Sequence, residues 1–469
     1  MVIEAHPWGG SATMSAWEAL MWRSDTDPRT RSTGILLELL SSEPDPDRLQ
    51  AAHERVTAQI PRLRDRVVEP PLPLVQPVWS PDPRFDIHNH LRYLRLDAPG
   101  TRRQLFDLCE SLIARPFDRR RPPWEATVVT GLEGGKAAYL LKIHHSLTDG
   151  LGLIQLLELV HSDRATPGAR NVTPPPRRAA ETVTAVGVLT NGARKQLGNA
   201  PHDLGRLANR LGRVLREPAQ TVEDGARFVR SLGRMLQQTP VPRSELLRGK
   251  GGVGNQLLAV DASLDDLRAA AKAAGSSVND GFLAAVLGGM RRYHEAHDVQ
   301  IDRLPIAIPI SLRSPDDPLG GNQFAGARFA APVGLPDPVA RMHEIRDFVR
   351  TARAEPAVAF VNTISPGLSK LPSTLVIELS AKLTASSDLQ VSNIRGVAHP
   401  LFIAGAEIEA MYPMGPRPGV AAMIAMITYN GRCCVGLNVD PDAFPDPDEL
   451  ERCLRAGFAE VIEIGVVRS

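Results

Sequence analysis

Cysteine is scarce: the 469 residues hold four, Cys109, Cys433, Cys434 and Cys453. None forms a C-x-x-C pair or has metal-ligand spacing, which speaks against a disulfide framework or a zinc module and predicts reduced core thiols in a cytoplasmic protein. An excess of one charge is also missing, with 54 Lys and Arg against 53 Asp and Glu, so nothing global marks a nucleic-acid partner. No window approaches the roughly 20 apolar residues of a membrane span. Residues 1–14 lack a basic segment leading into an apolar stretch, so no signal peptide is predicted and any membrane contact is expected to be peripheral. There is no short-period repeat, and no G-x-S-x-G that would announce a serine nucleophile.

What the chain does have is one dense stretch, Leu141-Lys142-Ile143-His144-His145-Ser146-Leu147-Thr148-Asp149-Gly150. Apolar residues at Ala138, Leu140, Leu141 and Ile143 predict a strand that runs into two adjacent histidines, with an acid and a glycine where the next helix begins. A neutral imidazole, with an unperturbed pKa of about 6.5, suits a general base. Neighbouring strand residues point to opposite faces, so one histidine is expected in a cleft and the other in the packed interior. Asp149 either holds the turn or orients the catalytic ring, and Gly150 lets a ligand or backbone come close. The plain alternative is two partly buried histidines followed by a turn.

The periodicity places a short helix over 17–22, a strand over 34–40 and helices over 47–60 and 105–113. Arg62, Arg64 and Arg66 alternate along what reads as an extended, solvated face. Strands over 124–129 and 137–144, joined through glycines, form a hairpin expected to deliver the histidines to the sheet edge. A helix follows over 151–160. Residues 165–180, rich in Pro and Arg, read as a linker.

In 192–250 basic side chains outnumber acidic ones by more than two to one. There Leu204, Leu207, Leu211 and Leu215 form one helical stripe with Arg206, Arg210 and Arg213 on another face, and Phe228, Val229, Leu232 and Met235 repeat the pattern. Such helices either lie on an anionic lipid surface or pack on the body with their arginines in water. Helices are expected over 264–274 and 280–294, capped near Ser276 or Ser277, with a strand over 306–310. A hairpin turns at Asn430-Gly431, and a last helix covers 447–462. The mixture is α/β, a sheet in each half.

The motif His144-His145-x-x-x-Asp149-Gly150 resembles the signature of the CoA-dependent acyltransferase superfamily. Phe85-Asp86 with His90, Pro99-Gly100, Arg121-Pro122-Pro123-Trp124-Glu125, Val278-Asn279-Asp280, Pro309-Ile310-Ser311-Leu312-Arg313, Gly321-Asn322, Ser392-Asn393 with Gly396, and Tyr412-Pro413 follow the order of its bacterial wax ester synthase/diacylglycerol O-acyltransferase branch. The likeness runs from about Pro61 to the end, apart from the linker. It implies two chloramphenicol-acetyltransferase-like subdomains, 1–164 and 251–469, around a central tunnel, with 165–250 between them as linker and basic helices.

On that resemblance His145 takes the proton of an acceptor hydroxyl, His144 has a packing or secondary role, and Asp149 serves orientation. Gly150, Pro122, Trp124, Asn279, Asp280, Ser392 and Asn393 are binding or structural positions, and either Asn279 or Ser392-Asn393 supplies the oxyanion donor. Acyl-CoA is a substrate, diacylglycerol or a fatty alcohol the acceptor, and triacylglycerol or wax ester the product. No metal or bound cofactor is implied, and the expected location is cytoplasmic or peripheral, at the inner membrane or lipid droplets. Two departures bear on the acceptor: Pro123 where Leu is usual, and Ile394-Arg395-Gly396-Val397, in which both prolines of the family's Pro-Gly-Pro run are substituted. The competing readings are acylation of a polyketide, sugar or carrier-bound alcohol, and an acyl-lipid-binding protein without turnover.

Overall fold

The computed structural model describes residues 8, 10–71, 75–166, 183–190, 241–248, 252–311, 324–354 and 387–467. Two six-stranded sheets organise it. The first contains β1 (Thr33–Leu40), β4 (Leu91–Arg95), β5 (Trp124–Thr130), β6 (Ala137–His144), β11 (Phe402–Ile403) and β12 (Ala406–Met414), in the order β11-β12-β1-β6-β5-β4. The second contains β7 (Gln256–Ser263), β8 (Leu304–Ser311), β9 (Phe324–Ala331), β10 (Leu389–Ile394), β13 (Ala422–Tyr429) and β14 (Arg432–Val439), ordered β7-β14-β13-β10-β8-β9. A separate pair joins β2 (Asp65–Val68) to β3 (Val78–Pro81).

β6 is buried at all its positions, as a strand covered on both faces must be. It lies between β1 and β5 in the interior of its sheet. The histidines therefore end a central strand, and the expected sheet-edge placement is corrected. Helices α1 (Ala16–Ser24), α2 (Pro46–Gln59), α3 (Arg102–Ala114) and α4 (Gly150–Val160) accompany this half. The other half has α5 (Leu264–Ala273), α6 (Val278–Ala296), α7 (Pro338–Ala354) and α8 (Pro447–Val467). Capping boxes start α1 at Ser15, α3 at Thr101 and α6 at Ser277, each satisfying backbone donors that the helix cannot. Asn430 and Gly431, with φ of 44° and 77°, make the left-handed turn between β13 and β14.

The sheets do not follow a division along the chain, because β11 and β12 come from the later residues and complete the first sheet beside β1. β12 also lies against the second sheet, so closely that a Cβ on Gly436 of β14 would meet the Pro413 carbonyl oxygen at 2.4 Å. From the other side, α3 clasps the edge of β7: Arg103 donates to the Leu257 carbonyl at 3.1 Å, and Leu257 N–H donates to Glu110 at 2.8 Å. Two main cores result, the first reaching past β12 to Leu257, Ala259, Ile427, Tyr429 and Cys434 of the second sheet.

The arginine face is a second correction. After Pro61 the chain turns through a 3-10 helix, and Arg62 is buried with its guanidinium 4.7 Å from the centre of the Trp79 ring. The sequence pattern missed β3, β7, β9, β10, β11, β12 and α7. The amphipathic stripes over 204–235, nearly all of the proposed linker, Leu312-Arg313 and Gly321-Asn322 lie outside the described residues.

Candidate active site

His144 is the last residue of β6, opposite Thr33 of β1. It is fully buried, with Trp22 packed edge-on at 5.2 Å and Phe117 at 6.3 Å. Its Nδ1 accepts from the Ser146 backbone N–H at 3.1 Å and lies 2.7 Å from Ser146 Oγ. That assigns the ring proton to Nε2. The Asp25 carboxylate stands 3.5 Å from Nε2, near enough to attract a charged ring but not aligned for a hydrogen bond, and Nε2 has no hydrogen-bond partner among the described residues. Asp25 is held in turn by the Ser32 N–H at 3.1 Å.

His145 leaves the strand. Its backbone N–H donates to the Ser32 carbonyl at 2.7 Å and its side chain is half-buried. The turn closes when Leu147 N–H donates to the His144 carbonyl at 2.9 Å, with the Leu147 side chain buried beneath. Asp149 is the N-cap of α4, its Oδ1 accepting from Gly152 N–H at 2.9 Å. Of the two expected tasks for Asp149, holding the turn is the one this geometry displays.

Gly150 faces the other half. A Cβ there would come within 3.0 Å of Ile394 Cδ1, so α4 begins directly against the end of β10. One residue earlier on β10, Asn393 donates from Nδ2 to Asn279 Oδ1 at 3.3 Å, in the first turn of α6. Three separated motifs thus converge, the histidine turn, the start of α6 and the end of β10. Ser392 is half-buried on the same strand.

Other expected positions stand behind this cluster. Asp280 closes the α6 capping box, accepting from Ser277 N–H at 2.8 Å and Oγ–H at 2.7 Å. Trp124 pairs with Ile143, hence on the face away from His144. Its indole N–H donates to the Leu63 carbonyl at 2.8 Å and its ring stacks on His90 at 4.6 Å. Burial holds the His90 imidazole below its ordinary value, and the hydrogen bond to the Trp124 carbonyl partly opposes this. Pro122 is buried at the head of β5. Asp25, Ser146 and Ile394 are the neighbours that sequence reasoning missed. Ser146 sat two residues past His144 for anyone asking what that ring bonds to; Asp25 and Ile394 carried no local signal.

The geometry matches known proteins along almost the whole chain. Residues 14–282 match the wax ester synthase/diacylglycerol acyltransferase catalytic domain, and residues 320–461 match the C-terminal domain of the same family. The chain belongs to the wax ester synthase/diacylglycerol acyltransferase family. This family member is an acyltransferase.

The match begins well before Pro61 and runs through the proposed linker, so the family likeness extends over both. A Mycobacterium tuberculosis protein provisionally named diacylglycerol O-acyltransferase is 38% identical, over 95% of this chain and 90% of its own. The wax ester synthase/diacylglycerol acyltransferase of Marinobacter aquaeolei VT8 shares the fold with a TM-score of 0.63 and 20% identity, covering 97% of this chain and 100% of that one. The first condensation domain of the calcium-dependent antibiotic synthetase shares it with a TM-score of 0.61 and 15% identity, over 96% and 95% of the two chains. The acyltransferase is therefore of mixed α/β architecture with two domains, like its family and the condensation domains. Among the described residues no helix is long and apolar enough to cross a membrane.

Proposed function

We propose that this acyltransferase moves an acyl group from a CoA thioester to the hydroxyl of diacylglycerol, and with lower preference to a long-chain alcohol, with His145 as general base. The observation that carries the assignment is the contrast within the pair: His144 is fully buried between two aromatic rings and bonded to its own turn, while His145 is half-buried in the turn that leads into α4. The imidazole of His145 takes the hydroxyl proton as the oxygen attacks the thioester carbonyl. The tetrahedral intermediate then expels CoA thiolate, which takes the proton from the imidazolium, so that ester and CoA thiol leave with atoms and charge balanced. No acyl-enzyme forms, and the reading calls on no metal or bound cofactor.

Negative charge develops on the former carbonyl oxygen, and an aimed donor lost there typically costs about 3 kcal/mol. The hydrogen-bonded amides of Asn393 and Asn279 supply that donor in this proposal, with the first turn of α6 adding its favourable dipole. Peripheral association with a lipid surface belongs to the same reading, since both products are apolar. The test is CoA release from palmitoyl-CoA with dioleoylglycerol and hexadecanol offered side by side and the product lipids identified. Acceptor-dependent release that falls by about 10²–10⁴-fold in His145→Ala is the expected result. Wild-type protein that is folded and releases no CoA with either acceptor sinks the assignment.

A further inference from the structure

The loop that joins α1 to β1 is closed on itself by one carboxylate. Asp25 caps the C-terminal end of α1, and its Oδ1 accepts from the Ser32 N–H at 3.1 Å. Inside the loop Pro28–Thr30 forms a 3-10 turn, and Thr30 Oγ1 donates to the Ser24 carbonyl at 2.7 Å. Both ends of the closure are buried, Asp25 at 6% exposure and Ser32 at 5%.

The same carboxylate meets the support of one histidine and the ring of the other. Ser32 lies just ahead of β1, and its carbonyl accepts from the His145 N–H at 2.7 Å, which carries the β1–β6 pairing one step beyond Thr33 and His144. Asp25 Oδ1 also stands 3.5 Å from His144 Nε2, while the other ring nitrogen, Nδ1, accepts from the Ser146 N–H. Trp22, also on α1, packs edge-on against that ring. The end of α1 thus holds the histidine turn from below.

A buried carboxylate is costly unless it is paired. Lys142 shares the His144 face of β6, but its ammonium is served elsewhere, donating to the Arg115 carbonyl at 2.8 Å with Glu125 at 3.7 Å. Arg31 Nη1 is likewise taken by the Ala114 carbonyl. A neutral asparagine would accept from Ser32 N–H at a smaller desolvation cost. What the carboxylate adds is negative charge facing the proton that Ser146 leaves on His144 Nε2.

We infer that Asp25 is the positioning residue of the proposed base. It acts through Ser32 and the His144 ring, and together these set where the His145 imidazole leaves the strand. The inference rests on the reading of His145 as general base. A reacting group displaced by about 1 Å loses on the order of 10²-fold in rate, so a brace one bond away from the base is worth its burial.

The test measures kcat and KM for palmitoyl-CoA and dioleoylglycerol in wild type, Asp25→Ala, Asp25→Asn and His145→Ala, with thermal midpoints recorded so that rates refer to folded protein. Asp25→Ala should lose about ten- to hundredfold in kcat while both KM values stay within about twofold, because the substrates still bind and only the base is displaced. Asp25→Asn keeps an oxygen for the Ser32 N–H and gives up the charge. Its kcat should lie between the two, about three- to tenfold below wild type. A merely structural role would leave the folded molecules of each variant at the wild-type kcat.

A folded Asp25→Ala with the wild-type kcat overturns the inference, as does a loss carried by KM or an Asp25→Asn no faster than Asp25→Ala. If Asp25→Ala does not fold, Asp25→Asn decides alone, and a wild-type kcat in it overturns the inference. His145→Ala keeps the two readings apart. If it retains transfer, the base assignment fails and takes the inference with it. If it loses transfer while Asp25→Ala does not, the inference alone fails.

Discussion

The two sheets have six strands each, yet they treat polar groups differently. The second keeps its buried Asp and Arg side chains off the strands, Asp388 just before β10, Asp440 just after β14 and Arg341 on α7 facing Glu460 of α8. Of its polar or ionisable side chains it buries only Tyr429, Cys433, Cys434 and Asn438 within the described strands. Its central strand β13 is apolar and buried from Ala422 to Ile427. The first sheet puts Glu38, Tyr139, Lys142 and His144 within its strands, all buried. Glu38 meets His161 at 3.1 Å, and Tyr139 bonds to His53 at 2.8 Å. A strand interior that carries polar groups needs partners for each, and the first sheet leaves Glu38 Oε1, His144 Nε2 and Thr33 Oγ1 without one among the described residues. Stability alone does not select such an arrangement; sheets hosting chemistry at their ends tolerate it.

The sharpest way to test the second sheet is to break its polar end. Asp388 accepts from Arg243 Nε at 2.8 Å and from Ser244 N–H at 2.8 Å, fixing residues 241–248 to the start of β10. Asp388→Ala removes the acceptor that ties Arg243 and Ser244 to the start of β10 and should cost about 3–5 kcal/mol in urea unfolding. A loss below about 1 kcal/mol would mean that this end is not a structural anchor.

The first sheet should respond to acid. Burial pushes the His53 imidazole down from 6.5 to about 4, against the pull of its bond to the Leu49 carbonyl. The folded state then binds fewer protons than the unfolded chain between those values. Stability that is complete above pH 6.5 is therefore lost as pH falls toward 4, by on the order of 3 kcal/mol. His53→Gln should flatten unfolding midpoints across that window, and a parallel slope in wild type and variant would remove His53 as the cause.

The smallest effect belongs to the seam between the regions. Gly150→Ala meets Ile394 at 3.0 Å, at the tip of a flexible side chain, so α4 and β10 separate by tenths of an ångström. Acyl transfer should fall a few-fold and return in Gly150→Ala/Ile394→Val, since small misplacements at a reacting centre are costly. Lack of any change in kcat would separate this contact from the chemistry.

Much of the first sheet was legible because its signals are local. The apolar run of β6 and the glycines before it act within a few residues, and so, in the second half, do the Asn430-Gly431 turn and the cap at Ser277. β12 was illegible as a partner of β1 because nothing in 406–414 announces which sheet it joins. Arg62 was misread because alternation of charge looks like a solvated strand until Trp79, brought over by β3, covers it. The two histidines were legible as the end of a strand, and the expectation that one faces inward matches the burial of His144. Its ties to Asp25 and the contact of Gly150 with Ile394 depend on folding that no spacing encodes.

The central claim is that adjacent histidines do different work, and one paired series tests it: acceptor-dependent CoA release and thermal midpoint measured together for His144→Ala and His145→Ala. The account predicts that His145→Ala melts with the wild type and loses transfer. It predicts that His144→Ala, which empties a site between Trp22 and Phe117, melts lower by the equivalent of about 2–4 kcal/mol. A His145→Ala enzyme that still transfers acyl groups at the wild-type rate would contradict it.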